Sequence, residues 1–445
     1  MKMNVRWNLG IVSICTALVL TSSCGWSGKG NSASSSPSTS STASESPSTS
    51  SEPSASSPEA SPTASASPTS TSMPTESETD TDEITRIIND MTLEEKVGQM
   101  ILAGIDGTSI NQATKKMIAN QHVGGIIMYK NNFSDIRGSV QLVNDLKKAN
   151  KNNPVPLFMS VDQEGGKVSR LPKDFVAIPD NAKVGRSGEA ELAKEMGSLI
   201  SKELRIMGFN VDFAPVLDIN SNPNNPVIGN RSFGNNAKLV TKMGIAEMNG
   251  LRDGGTIAVV KHFPGHGDTS VDSHLDLPVV RKTTEQLEAM EWIPFRAAVE
   301  AKADAVMVAH ILFPLIDDKA PASFSKVIIG EQLRGTLGYN GVVITDDMTM
   351  GAIAKNYGIE DAAVLSVDAG SDILLIAHGY DTEKKVYDRL LQSVKSGKIQ
   401  ESRIDESVRR ILALKLKYKL SDKPVPTPKL ADLPNEAIRH WLDKL

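Results

Sequence analysis

Between Lys261 and His274 the chain reads K-H-F-P-G-H-G-D-T-S-V-D-S-H, which places three of its seven histidines within fourteen residues. Pro264, Gly265 and Gly267 interrupt any helix, so these imidazoles belong to a strand end and a loop, where binding and catalytic groups are usually carried. His262 and His266 have the i, i+4 spacing of a zinc pair. That spacing needs a helix, which Pro264 and Gly265 forbid, and no Cys or H-E-x-x-H pattern supports a metal. No metal or other cofactor is expected. Acid/base chemistry fits better. In extended backbone, residues two apart face the same side, so Asp272 can hold one nitrogen of His274 while the other faces a substrate. A second candidate is the run Ile344-Thr345-Asp346-Asp347, where a carboxylate leaving an apolar strand could act as a nucleophile. One of the pair could equally cap the helix that follows, and spacing does not choose between Asp346 and Asp347.

Groups at strand ends need strands to carry them. Short apolar runs recur at 98–105, 123–129, 157–162, 211–218, 257–262, 305–310, 342–346 and 373–378, separated by helical segments. Eight buried strands alternating with helices predict a parallel α/β sheet, and eight is the number that closes a (β/α)8 barrel. A doubly wound sheet is the competitor. No G-x-G-x-x-G follows the first run, and polar residues end nearly every later run instead of gathering at one switch point. Thr92-Leu93-Glu94-Glu95 has the form of a capping box. Amphipathic spacing predicts helices over 190–207, 284–301 and 403–420. Of the other polar strand ends, His310 is expected to line the pocket and His378 to face solvent.

The strings V-D-Q-E-G-G-K-V-S-R (161–170), N-R-S-F-G (230–234), K-H-F-P-G-H-G-D with D-S-H (261–274) and I-T-D-D-M-T-M (344–350) resemble glycoside hydrolase family 3. More narrowly, they are similar to its β-N-acetylglucosaminidase branch, which acts in peptidoglycan turnover. The resemblance runs from about residue 84 to 420 and implies a (β/α)8 barrel. It implies that Asp162, Arg170, Arg231, Lys261 and His262 bind a terminal N-acetylglucosamine. It makes His274 the acid/base, Asp272 the carboxylate that orients it, and Asp346 the nucleophile, which is the choice spacing left open. Lys167 stands where the motif usually has Arg, losing a bidentate fork. The implied reaction is retaining and exo-acting, through a covalent glycosyl-Asp intermediate, with Gly265 and Gly267 suggesting a mobile loop that closes over the sugar. Alternatives are a β-glucosidase or an N-acetylglucosaminide phosphorylase of the same family. A tethered solute-binding lipoprotein is the alternative from outside enzymes, and it predicts two lobes and no nucleophile.

The remaining chain bears on location. Lys2 and Arg6, an apolar run from Leu9 to Leu20 and small residues before Cys24 have the form of an export signal. Leu20 to Cys24 resembles the bacterial lipoprotein signal, with Thr21 where Leu is usual. That implies cleavage after residue 23, lipid attachment at Cys24, and a protein held on the extracytoplasmic face of the cell membrane. Plain secretion with an incidental cysteine is the alternative. Residues 24–82 are Ser-, Pro- and Thr-rich, too poor in apolar groups to form a core, and read as a flexible tether. The folded domain is expected over 83–420, and a Pro-containing tail over 421–445, with residues 437–442 at most a short surface helix. Residues 1–82 carry three basic and seven acidic groups against a formal net charge of −5 for the whole chain, so the domain is near neutral. Nothing there suggests a nucleic-acid partner. Aromatic residues make up only 4%, which favours a small pocket for one sugar over a stacking platform for long polysaccharides, and a monomer is expected.

Overall fold

Eight apolar runs without internal alternation must be covered on both faces, and a closed ring of strands wrapped in helices does this. The computed structural model describes residues 78–445; the signal segment, Cys24 and the tether up to residue 77 lie outside the described residues. The strands are β1 (Ile101–Gly104), β2 (Gly125–Met128), β3 (Phe158–Val161), β4 (Val211–Asp212), β5 (Ile257–Phe263), β6 (Ala305–Val308), β7 (Val342–Thr345) and β8 (Leu374–Ile376). All are parallel, in the order β7-β6-β5-β4-β3-β2-β1-β8. Ile344 bridges Ile373, and the Thr345 N–H donates to the Ile373 carbonyl at 3.0 Å, which joins β7 to β8 and closes the barrel. Seven of these strands fall inside an expected run, and β5 overruns its run by one residue, Phe263.

Two strands depart from regularity where the site needs it. β4 is only two residues long because Pro215, which has no N–H, interrupts the ladder. Pairing resumes through the Val216–Lys261 bridge, with the Leu217 N–H on the Lys261 carbonyl at 2.6 Å. In β5 the register against β6 shifts between Val260 and Phe263. Consecutive strand residues normally face opposite sides of a sheet. The irregularity re-aims the strand, so that both Lys261 and His262 line the same pocket.

The capping box at Thr92 is present in both directions, with Glu95 N–H on Thr92 Oγ1 at 3.2 Å and Thr92 N–H on Glu95 Oε2 at 2.8 Å. The helix over Ala190–Met207 forms as expected and ends at Gly208, whose φ of 92° is open to glycine without steric cost. The single helix expected over 284–301 is two, Thr284–Glu288 and Trp292–Glu300. Pro294 accounts for the break: its ring would clash with the carbonyl four residues back in a continuous helix but is accepted in a first turn. The described chain also starts earlier than residue 83, in a helix over Glu78–Asp90.

The segment expected as a tail is packed. Its last helix, Asn435–Leu442, buries Ile438 and Trp441 completely, each contributing about 1.5–3 kcal/mol by area. Trp441 Nε1 donates to the Leu192 carbonyl at 3.0 Å. Asn435 accepts from the Val176 N–H and donates to the Asp174 carbonyl, both at 2.8 Å, and so braces the loop that follows β3. The spacing of Ile438 and Trp441, three apart on one helical face, is what turns this segment inward.

Candidate active site

At the C-terminal ends of the strands lies a cavity of about 190 Å³. Its apolar floor is Ile127 of β2, Met307 of β6, Leu375 of β8 and Phe213 just beyond β4; its polar wall includes Asp162, Arg170, Arg231, Lys261, His262, His274 and Asp346. Every barrel residue to which the resemblance assigns a role except Asp272 lines this one space, and Asp272 is tied to a residue that does.

One wall is a network of ions. Lys261 Nζ sits 2.5 Å from Asp162 Oδ1 and 2.6 Å from Glu164 Oε1. Arg231 forks onto Glu164 through Nε at 2.8 Å and Nη2 at 2.7 Å, and Arg170 reaches Asp162 at 3.5 Å. Glu164 is 1% exposed. Burial alone would raise its pKa, but Arg231 and Lys261 outweigh that and hold the carboxyl well below its ordinary range. Burial likewise works against the Lys261 ammonium, and Asp162 and Glu164 together raise its pKa above the usual lysine value. The result is a set of fixed donors and acceptors around the pocket with little freedom to reorient. Glu164 was not anticipated. The signal existed, since two cations placed at buried strand ends need a buried anion, and Glu164 lies in the same motif as Asp162.

His262 is held from behind. Its Nδ1 lies 2.6 Å from Asp218 Oδ2, which leaves Nε2 toward the pocket, 3.5 Å from Arg231. Asp218 also accepts the backbone N–H of His266 at 2.7 Å. Although burial opposes its charge, His262 and His266 keep its pKa below the ordinary value. Asp218 is a second residue that sequence reasoning left without a role, being read only as the end of the fourth run.

The two carboxylates at 346 and 347 divide cleanly. Asp347 Oδ1 accepts from the Thr349 N–H, Thr349 Oγ1 and the Ala377 N–H, all within 3.0 Å, so it is spent on the turn after β7. Asp346 accepts only the adjacent Asp347 N–H, at 2.8 Å, and otherwise opens to the cavity. Burial would raise its pKa; His262, His310 and the Asp347 N–H outweigh this and lower it, so the carboxylate is ionised at neutral pH. In the same cavity, His274 Nδ1 lies 2.8 Å from Asp272 Oδ1, which also accepts the His274 N–H at 2.8 Å. Nδ1 is thereby fixed as the protonated nitrogen, and Nε2 is left open.

The two glycines sit where a side chain would not fit. A Cβ on Gly267 would stand 1.7 Å from the Ile219 carbonyl oxygen, and one on Gly265 would stand 2.9 Å from Glu291 Cβ. Gly265 has in addition a φ of 128°, so its backbone conformation as well as its packing calls for glycine. His310 does not line the pocket as expected, and His378, exposed as expected, also edges the cavity. His310 is fully buried, bonded to Ser323 Oγ at 2.7 Å and the Asp347 carbonyl at 3.1 Å, whereas His378 lines the cavity beside Tyr129. The reason is reach: Met307, inside β6, takes the pocket-facing position, and His310 lies two residues past the strand, turned toward the Ala322–Phe324 turn. Lys167 is exposed and lies in a neighbouring polar recess with Asp180 and Asn230.

His266, wholly inside the loop, donates and accepts between Thr269 Oγ1 at 2.9 Å and Ser273 Oγ at 3.1 Å. Burial first, and then His262, push its pKa down to about 4. The folded value lies below the unfolded one, so the unfolded chain binds more protons between them. Its contribution is complete above about pH 6.5 and is lost as pH falls toward 4, a change on the order of 3 kcal/mol. Thermal unfolding followed from pH 7 to 4.5 should show Tm falling through this window, and His266→Gln should flatten the fall. An unchanged slope in the variant would remove His266 as its source.

A (β/α)8 barrel whose mouth gathers a carboxylate and an Asp–His pair around one small polar pocket has the form of a sugar-processing enzyme. Residues 92–414 match the Glycosyl hydrolase family 3 N terminal domain, and the chain belongs to that family. It is 34% identical over 334 residues to beta-hexosaminidase A of Pseudoalteromonas piscicida, covering 70% of this chain and 56% of the relative. It is 36% identical over 285 residues to a beta-hexosaminidase of Xylella fastidiosa, covering 63% and 83%. Among solved structures it is similar to a family 3 beta-N-acetylglucosaminidase from Paenibacillus sp. str. FPU-7, with 46% identity, a TM-score of 0.73, and coverage of 74% of this chain and 63% of that one. The chain thus spans between about half and four fifths of the lengths of these three proteins.

Proposed function

We propose that the protein is a retaining, exo-acting β-N-acetylglucosaminidase that removes terminal N-acetylglucosamine from peptidoglycan-derived fragments. The observation that carries this reading is the single small pocket shared by Asp346, His274 and the Asp162–Lys261–Glu164–Arg231 network. The names of the relatives favour an N-acetylated amino sugar over glucose. In the proposed first step, Asp346 attacks the anomeric carbon, the glycosidic C–O bond breaks, and His274 as imidazolium gives its Nε2 proton to the leaving oxygen. In the second, His274 takes a proton from water, whose oxygen attacks the same carbon and expels Asp346. Asp272 keeps the imidazole in one tautomer throughout; the His274 N–H and imidazole offset the burial that would raise its pKa and leave it below the ordinary value. An imidazole suits a group that must donate and then accept a proton near neutrality. Attachment at Cys24, on the extracytoplasmic face of the membrane, is part of the same proposal, and Cys24→Ser should move the protein to the soluble fraction while retaining its activity.

The test compares aryl β-N-acetylglucosaminide with aryl β-glucoside, with and without phosphate, in wild type and His274→Ala. Wild type should hydrolyse the N-acetylglucosaminide and ignore phosphate. His274→Ala should release a burst of dinitrophenolate, which needs no protonation, then turn over slowly for lack of a base, with azide restoring the rate. Equal loss on good and poor leaving groups, with no burst, would overturn the assignment of His274.

A further inference from the structure

The loop carrying Asp272 and His274 is joined to the segment that follows the Asp346 strand. The Gly351 N–H donates to the His274 carbonyl at 3.2 Å and the Ala352 N–H to the Ser273 carbonyl at 3.1 Å. Lys355 Nζ donates to the Leu275 carbonyl at 2.6 Å, and Asn356 Nδ2 reaches Asp276 Oδ1 at 3.3 Å. Four consecutive residues, 273 to 276, are thus each held from residues 351–356. From the other side, His266 holds Ser273. The contact is close enough to dictate residue type. A Cβ on Gly351 would stand 2.5 Å from the His274 carbonyl oxygen and 2.9 Å from that of Leu275, both backbone atoms that cannot swing aside. Gly351 is not in the left-handed region and begins a short helical turn, so nothing in its own conformation calls for glycine.

We propose that residues 351–356 are the seat that places the general acid/base, making Gly351 and Lys355 positioning residues for proton transfer at His274. The inference rests on the proposed role of His274. It adds that one segment, continuous with the turn that carries Asp346, sets the reach of the residue acting on the opposite side of the glycosidic bond. The spacing between the two reacting groups is then fixed by a direct joint and not by two independent loops. His274, with its side chain 64% exposed, needs such a joint because packing does not hold it.

The experiment measures kcat/KM for Gly351→Ala and Lys355→Met over aryl β-N-acetylglucosaminides of graded leaving-group acidity, beside His274→Ala. An alanine Cβ would press on two backbone oxygens, so a glycine needed only for packing predicts lower stability with the catalysis of the folded variant unchanged. The seat predicts a fall of about 10- to 100-fold on poor leaving groups, part of what general acid catalysis supplies. It also predicts a dinitrophenolate burst within about threefold of wild type, and faster amide exchange across 266–277. Lys355→Met introduces no clash and should show the same pattern more weakly, so the question stays open to decision if Gly351→Ala folds poorly. Equal losses on all leaving groups, or none, in a folded Lys355→Met or Gly351→Ala overturn the seat while His274→Ala keeps its leaving-group dependence. If His274→Ala itself lacks that dependence, the assignment of the acid/base falls, and the seat with it.

Discussion

Replacing Asp346 by Asn should abolish turnover of every glycoside, whatever its leaving group, by at least about 10⁴-fold. The amide has the same shape and can keep the hydrogen bond from the Asp347 N–H, so the fold should survive. What it lacks is the charge that attacks carbon. Neither a dinitrophenolate burst nor a glycosyl azide of retained configuration is expected, because both need a glycosyl-enzyme that the variant cannot form. Mass spectrometry of wild type caught during slow turnover should find the sugar on the peptide containing Asp346. Retention of the burst by Asp346→Asn, or an adduct elsewhere, would move the nucleophile to another residue.

The second large effect belongs to a residue without any place in the bond-breaking step. Glu164→Gln leaves Lys261 with Asp162 alone and Arg231 with no carboxylate within its fork. Removing one partner of a buried ion network typically costs about 3–5 kcal/mol, so the denaturation midpoint should drop sharply. Because Lys261 and Arg231 both face the pocket, loosening them should raise KM more than it lowers kcat. A variant with wild-type stability and wild-type KM would show that Glu164 is a bystander.

The parts of this molecule legible in sequence were those governed by local pattern. Uninterrupted apolar runs located all eight strands, because a strand covered on both faces has no polar side to show. The Asp272–His274 pair was legible from its two-residue spacing, although the backbone there is a turn and not the extended chain expected, with the Leu275 and Asp276 N–H groups donating to the Asp272 carbonyl. What escaped was set by contacts across the barrel. Glu164 and Asp218 take their meaning from cations and imidazoles 44 to 97 positions away, and no window along the chain contains both partners. The need for glycine at 267 was hidden for the same reason, since it comes from Ile219 packed against it. Trp441 and Ile438 read as surface residues until the helix over 190–207 is seen to need a cover.

The modest size of the cavity at the barrel mouth, about 190 Å³, has a consequence for kinetics on polymers. It is smaller than the pockets that engulf drug-sized ligands, and under the proposed function it admits one terminal sugar. Such an enzyme counts chain ends and is blind to mass. At a fixed weight of glycan, halving the mean chain length doubles the number of termini and, below saturation, doubles the initial rate, so its output is set by how often other activities cut the polymer.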